Sequence, residues 1–244
     1  MTPRSETGAT APGAEVGHVL VRDHTILATV VGSRACGLST GSSDTDVRGI
    51  YLAPTPSFWH LSKPPPHVEG PAPEWFSWEL ERFCELALKA NPNALEVLWS
   101  PLTLQTTSAG EELVAQRGAF VSRLAHATYA GYVQSQLTKI EADVRREGVP
   151  RWKHVMHLLR LLLSGAHLLR TGSPLIDVGP HRERLMAARR GEESWESLDA
   201  WRSTLQADLE DAAQRTAVPD RPDVERIDRW LHDVRRRSAT GQAT

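Results

Sequence analysis

The stretch VVGSRACGLSTGSSDTDVRGIYLAP, residues 30–54, decides how the rest of the chain is read. It opens at the end of an apolar, partly β-branched run, Ile26 to Val31 (ILATVV), which predicts a buried strand ended by Gly32. A small-residue turn follows at Ser39-Thr40-Gly41-Ser42-Ser43. Asp46 to Leu52 (DVRGIYL) then alternates and carries Val, Ile and Tyr, which predicts a second strand. Side chains alternate along a strand, so Asp44 and Asp46 are expected on one side of it. Two hard anionic oxygens about one pleat apart suit a hard divalent cation, and magnesium is typically held by one or two carboxylates plus substrate phosphates. A third carboxylate from a neighbouring strand would complete a two-metal site, one metal activating the attacking oxygen and the other holding a triphosphate. A glycine directly after a strand lets the backbone approach phosphate closely, where N–H groups and the Ser33 hydroxyl can donate. A lone Asp-x-Asp is common and also fits two solvated side chains in a surface turn. The specificity lies in the combination: Gly32-Ser33 after an apolar strand, then Asp44-x-Asp46 opening the next strand, with eleven residues between Gly32 and Asp44.

Outward from this stretch, Pro54 to Pro73 carries seven prolines and predicts a long loop. Glu74 to Trp78 predicts a third, short strand, and Leu80 to Ala90 turns helical before Asn91-Pro92-Asn93 stops it. Leu95 to Trp99 begins another short element. Beyond about Arg117 the strand signals end, and helices are expected over Phe120–Glu147, Trp152–Thr171, Ser194–Arg215 and Asp223–Arg237. The pattern is α+β, divided into a floppy leader at 1–16, an α/β module at 17–117, an all-helical module at 118–237 and a flexible tail at 238–244. No internal repeat is present.

Composition narrows the classes. The 244 residues are 40% hydrophobic and 24% charged, with formal net charge -2. That balance argues against a surface that grips nucleic acid all over, though not against a local basic cleft. No apolar run approaches the roughly 20 residues that span a bilayer, and the first 17 residues lack the apolar core of a secretory signal. A cytoplasmic, non-membrane protein is the default expectation. Cys36 and Cys84, the two cysteines, are too few for a thiolate zinc site and read as reduced small residues.

Residues 30–54 resemble the predicted nucleotidyltransferases of the DNA polymerase beta-like superfamily, in particular the group associated with RNA repair ligases, whose signature looks like GSRAYGL…SDxDVRG. The segments WELERFCELALKANPNALEVLWSP, GYVQSQLTKI and KHVMHLLRLLLSGAHLLRTG are similar too, so the resemblance covers about residues 25–235. It implies a mixed sheet with flanking helices, then a helical domain. It also implies magnesium-dependent transfer (manganese is a possible substitute) of a nucleoside monophosphate from an NTP such as ATP to an acceptor hydroxyl, with release of pyrophosphate. The acceptor is open among an RNA end, a protein and a small molecule, and so is the oligomeric state. Carried over, Asp44, Asp46 and Glu74 are the metal-binding and catalytic carboxylates, with Glu74 or Asp46 taking the acceptor proton. This chain departs from the pattern at Glu74, where Asp is usual, and at Cys36, where an aromatic residue is usual.

Other residues compete. Glu79 falls at a helix start, where a carboxylate also suits capping, and Glu69 lies in the proline loop. Lys153, His157, Arg160, Ser164 and His167 recur at spacings that share one stripe of the helix from Trp152. That stripe faces either bulk water or the cleft; in the cleft, Lys153 and His157 would bind nucleotide with Gly32, Ser33 and Arg34, and Lys139 is a weaker addition. Arg48 could orient a carboxylate. His60 and His67 lack a third ligand at metal spacing, and Trp59 is the loop aromatic best placed to stack a base. The alternative to an enzyme is a non-catalytic nucleotide-binding module, regulatory or a partner in a repair or toxin–antitoxin system.

Overall fold

The computed structural model describes residues 12–241. The chain enters through helix α1 (Pro12–His24), strand β1 (Thr25–Val30) and a single helical turn, α2 (Gly32–Ala35). The leader expected over 1–16 lies outside the described residues as far as residue 11, and from Pro12 the chain is instead helical. Strand β2 (Val47–Tyr51) follows, so Asp44 and Asp46 lie just ahead of the strand and not within it. The proline loop is also more ordered than its composition predicts. It folds a 3-10 turn at Thr55–Trp59 and a short edge strand, β3 (His67–Glu69), before β4 (Trp75–Glu79). Glu69 therefore belongs to a strand and not to an unsupported loop.

The remaining elements are α3 (Leu80–Leu88), α4 (Pro92–Trp99), β5 (Thr103–Thr106) and α5 (Ser108–Ala115), then α6 (Leu124–Glu147), α7 (Trp152–Thr171), α8 (Arg182–Arg190), α9 (Trp195–Arg215) and α10 (Val224–Ala239). The Asn91-Pro92 stop signal has a second role. Asn91 caps α4 by accepting from the Asn93 and Ala94 N–H groups, and Pro92 occupies its first turn. Ser194 and Asp223 cap α9 and α10 in the same way. Helices α1, α5 and α8 and strand β5 have no counterpart in the sequence reading. The tail at 238–244 is helical to Ala239, and residues 242–244 lie outside the described residues.

The five strands form one mixed sheet in the order β3-β4-β2-β1-β5. All pairs are antiparallel except β2 with β4, which run parallel with Val47 beside Trp75. The two faces are covered separately, as period two requires. Tyr51 and Ala53 join Val21 of α1 and Val68 of β3 in a small cluster, while Ile50 and Leu52 enter the main core with Leu80, Phe83 and Leu95. That core runs on without a break into α6, α7 and α9. The boundary expected near residue 117 is thus a change of structural class and not a gap in packing. Helix α7 is buried almost all round, and a Cβ on its Gly165 would stand 2.9 Å from the Tyr129 ring of α6 and 3.1 Å from Leu209 of α9. Only glycine allows the three helices to approach so closely.

The last helix returns to the first module. Arg235 pairs with Glu79 at 2.9 Å, donates to the Ala53 carbonyl at 3.2 Å and lies over the Phe58 ring. Glu79 is buried, accepts from the Glu81 N–H at the start of α3 at 2.8 Å and from the Ala53 N–H at 3.3 Å. Its oxygens are occupied as a cap and an ion pair. Glu79→Ala removes the buried carboxylate partner of Arg235, leaving it the Ala53 carbonyl and the exposed Glu81 at 3.6 Å, and leaves α3 uncapped. The expected loss is about 3–5 kcal/mol, the cost of breaking a buried pair from one side, read by denaturant unfolding; a loss below about 1 kcal/mol would contradict this account.

Candidate active site

Gly32 closes β1 with φ +66°, a conformation few L side chains adopt, and a Cβ there would stand 2.7 Å from Asp46 Oδ2. Both facts require glycine. The Val31 N–H donates to the Asp46 carbonyl at 2.9 Å, which extends the β1–β2 ladder up to the carboxylate. The parallel register then sets the third carboxylate. Val47 lies beside Trp75 and donates its N–H to the Glu74 carbonyl at 2.9 Å, so Asp46 and Glu74 precede neighbouring strands at the same level. Glu74 itself holds φ +57°. Arg48 lies between the two: Nη2 is 4.0 Å from Asp46 Oδ1, and Nη1 donates to the carbonyls of Val47 at 2.9 Å and Glu74 at 3.5 Å.

These residues line one side of a cavity of about 700 Å³. Gly32, Ser33, Asp44, Asp46 and Glu74 all contribute. The helical module supplies Lys139 from α6, Lys153, His154, His157 and Arg160 from α7, Arg151 just before it, and Arg189 from α8. Of the predicted nucleotide-binding residues, Arg34 alone is not brought in. Its guanidinium donates to the carbonyls of Ser43 at 2.8 Å and Asp44 at 3.2 Å, which braces the loop that carries Asp44. Glu69, Glu79 and Trp59 do not line the cavity. Trp59 is 74% exposed, and His67 stacks on Phe76 at 5.5 Å.

The polar stripe of α7 divides along its length. Lys153, His157 and Arg160 face the cavity, whereas Ser164 is buried against Tyr129 and His167 bonds the Ser173 carbonyl at 2.8 Å near the helix end. Arg160 is buried and donates to Glu96 at 2.5 Å and to Cys36 Sγ at 3.0 Å. Burial opposes its charge, but Glu96 and Cys36 outweigh that and hold it above its ordinary value. The Cys36 thiol is pushed up to about 11 by burial, so it stays protonated; Cys84 is likewise buried and free. Arg182 donates to the Gly37 carbonyl at 2.7 Å and Arg189 to that of Leu38 at 3.3 Å. Three arginines of the helical module thus hold the turn after Ser33. The sequence reading missed Glu96, Arg151, His154 and Arg189 at the cavity, because no periodicity links residues this far apart.

Among the described residues no three His, Cys, Asp or Glu side chains enclose a metal position. The donor chemistry nevertheless fits a hard divalent cation. Asp44, Asp46 and Glu74 offer carboxylate oxygens to one cavity, and magnesium needs one or two of these when phosphates supply the rest. A family model matches residues 14–233, nearly the whole chain, and describes the RNA repair pathway DNA polymerase beta family. The chain belongs to that family. No curated protein and no solved structure matches it. Membership accounts for the mixed sheet followed by helices. Among the described residues no helix is long and apolar enough to cross a membrane.

His157 carries the largest titration effect at the cavity. Burial first, then Arg160 and Lys139, lowers it to about 3. A histidine with a depressed native value protonates only in the unfolded chain between about 6.5 and about 3. Stability is therefore retained above pH 6.5 and falls as the pH drops below it, by up to about 1.4 kcal/mol per pH unit for one proton. Denaturant titrations at stepped pH should show this slope, and His157→Asn should reduce it by one proton; an unchanged slope would assign it elsewhere.

Proposed function

We propose that this protein transfers a nucleoside monophosphate from an NTP to an acceptor hydroxyl and releases pyrophosphate, with magnesium, or manganese in its place. The observation that carries the reading is one cavity lined by Asp44, Asp46 and Glu74 from the sheet and by Lys139 and Lys153 from the helices, with Gly32 and Ser33 between strand and turn. A triphosphate is an anion that needs both sets. Lys153 and Lys139 neutralise its terminal phosphates, and Ser33 with the backbone after Gly32 donates to phosphate oxygens. Neutral His157 offers a hydrogen bond without adding charge.

Asp44, Asp46 and Glu74 would hold the metal, which when bound polarises the phosphate and lowers the barrier to attack by the acceptor oxygen. Asp46 or Glu74 takes the acceptor proton. Arg48, between Asp46 and the Glu74 carbonyl, orients the two lead-ins. The family's description as an RNA repair pathway family supports an RNA end as the first acceptor to test, before a protein or a small molecule.

The test incubates the chain with each α-labelled NTP, magnesium, and total RNA or total protein. Label should enter one pool with stoichiometric pyrophosphate release. Asp46→Ala and the double Asp44→Asn, Asp46→Asn variant should lower release by at least about 10³-fold, in keeping with the loss of several kcal/mol of transition-state stabilisation. Nucleotide binding in calorimetry with no product would favour the non-catalytic, regulatory reading, and turnover unchanged in folded variants would reject this site.

A further inference from the structure

The cavity holds two imidazoles on successive turns of α7, and they differ in what stands behind them. His157 Nδ1 meets the Arg160 guanidinium at 3.4 Å and is kept neutral. His154 Nδ1 meets Asp143 Oδ2 at 2.7 Å. Asp143, on α6, is only 5% exposed, and its carboxylate can only accept. His154 Nδ1 therefore carries hydrogen, and Nε2 is the atom left to exchange a proton with the cavity that the ring lines. Nε2 has no hydrogen-bond partner among the described residues.

We propose that His154 is the general acid that protonates the departing pyrophosphate, and that Asp143 positions it. The inference rests on the transfer reading above. A carboxylate behind one ring nitrogen fixes the tautomer and the orientation of the ring. The place of the ring selects the acid role over the base role. His154 lines the cavity from the helical module together with Lys153 and Lys139, the cations proposed for the terminal phosphates, whereas Asp46 and Glu74 line it from the sheet. In the step, the acceptor oxygen bonds to the α-phosphorus and the bond from the α-phosphorus to the bridging oxygen breaks. The bridging oxygen keeps the electron pair and takes the Nε2 proton. The acceptor proton goes to Asp46 or Glu74, and solvent reprotonates His154.

Asp143 of α6 meets the ring directly, and Arg146, Glu147 and Arg151 form ion pairs around that carboxylate. Arg146 and Arg151 lie 3.3 and 3.6 Å from Asp143 Oδ1, so they share the carboxylate with His154. Lining the same cavity are Asp44, Asp46, Arg48, Glu74, Glu96 and Arg189. Burial works against the Asp143 charge, but His154 and Arg151 prevail and keep its carboxyl below the ordinary range.

The test measures release of the leaving group against pH for the wild-type protein, His154→Gln and Asp143→Asn, pyrophosphate from NTP and the corresponding bisphosphonate from analogues bridged by CH2, CHF or CF2 between the β- and γ-phosphorus atoms. Halogenation makes the leaving group more acidic and less dependent on protonation. Wild-type kcat should fall as the pH rises past the imidazolium range. His154→Gln should lower kcat by about 10²-fold, abolish that limb and leave nucleotide affinity within a few-fold, and its defect should shrink from CH2 to CF2. Asp143→Asn should change kcat in the same direction by less. A His154→Gln protein with wild-type kcat and pH profile, or with one defect for all analogues, overturns the assignment. If His154→Gln does not fold, the wild-type protein decides: a high-pH limb that does not weaken with the CF2 analogue overturns it too. Absence of release by the wild-type protein with every NTP rejects the transfer reading and this inference together. Release that Asp46→Ala abolishes, alongside an unaffected His154→Gln, rejects the inference alone.

Discussion

The pairing of β2 with β4 is the constraint on which the acidic half of the cavity depends. It is the only parallel pair in the sheet, and parallel neighbours that begin together present the residues before them side by side. Asp46 and Glu74 are those residues, 28 positions apart in sequence. The hydrogen bond from Val47 N–H to the Glu74 carbonyl ties the two lead-ins directly. Glu74 holds a left-handed conformation that costs on the order of 1 kcal/mol or more for a non-glycine residue. It is kept there by the backbone bond from Val47 and by the ladder that β4 starts one residue later. Gly32 fits against Asp46 from the other side, where no side chain has room.

The basic half depends on a different interaction, the buried pair of Arg160 and Glu96. Such a pair contributes little net stability, because desolvation offsets most of the attraction. Its effect is positional. Arg160 lies on a helix that is buried almost all round, and its guanidinium reaches off that helix to Glu96 of α4 and Cys36 after α2. α7 is thereby held in one rotation about its axis, with Lys153, His154 and His157 towards the cavity. Arg182 and Arg189 hold the backbone of Gly37 and Leu38 from the same module. The small sulfur of Cys36 accepts from Arg160.

What was legible in the sequence follows from range. β1, the Gly32 turn and β2 are local, and period two with small-residue turns was enough to place them, although Asp44 and Asp46 precede β2 where strand alternation no longer applies. The long helices were legible from apolar periodicity and caps such as Ser194 and Asp223. α8 was not, because Arg182, Arg184, Arg189 and Arg190 mask a buried face of only Leu185, Met186 and Ala188. β3 was hidden among prolines, and its pairing with β4 supplies the order that its composition denies. Glu79 competed with Glu74 in sequence, although its place at a helix start also suited a cap. Tertiary partners separate them: Arg235, from 156 residues away, takes Glu79, while Glu74 turns to the cavity. Asp143 and His154 belong to different helices, and no repeat or spacing connects them.

The net charge of -2 conceals how the charges are arranged. Carboxylates cluster where the strands begin, and lysines and arginines converge from three elements that follow the sheet. Neither set alone is a nucleotide site. The carboxylates would repel a triphosphate, and the cations would bind one without giving it a reactive orientation. On the transfer reading, a divalent cation removes the repulsion from the first set while the second holds the terminal phosphates, so metal and nucleotide should bind as a unit and neither tightly without the other. The continuous core beneath both sets makes this coupling mechanical as well as electrostatic. A shift of α7 would move the cations relative to the carboxylates, and the Arg160–Glu96 pair at the base of the cavity is the contact that resists it.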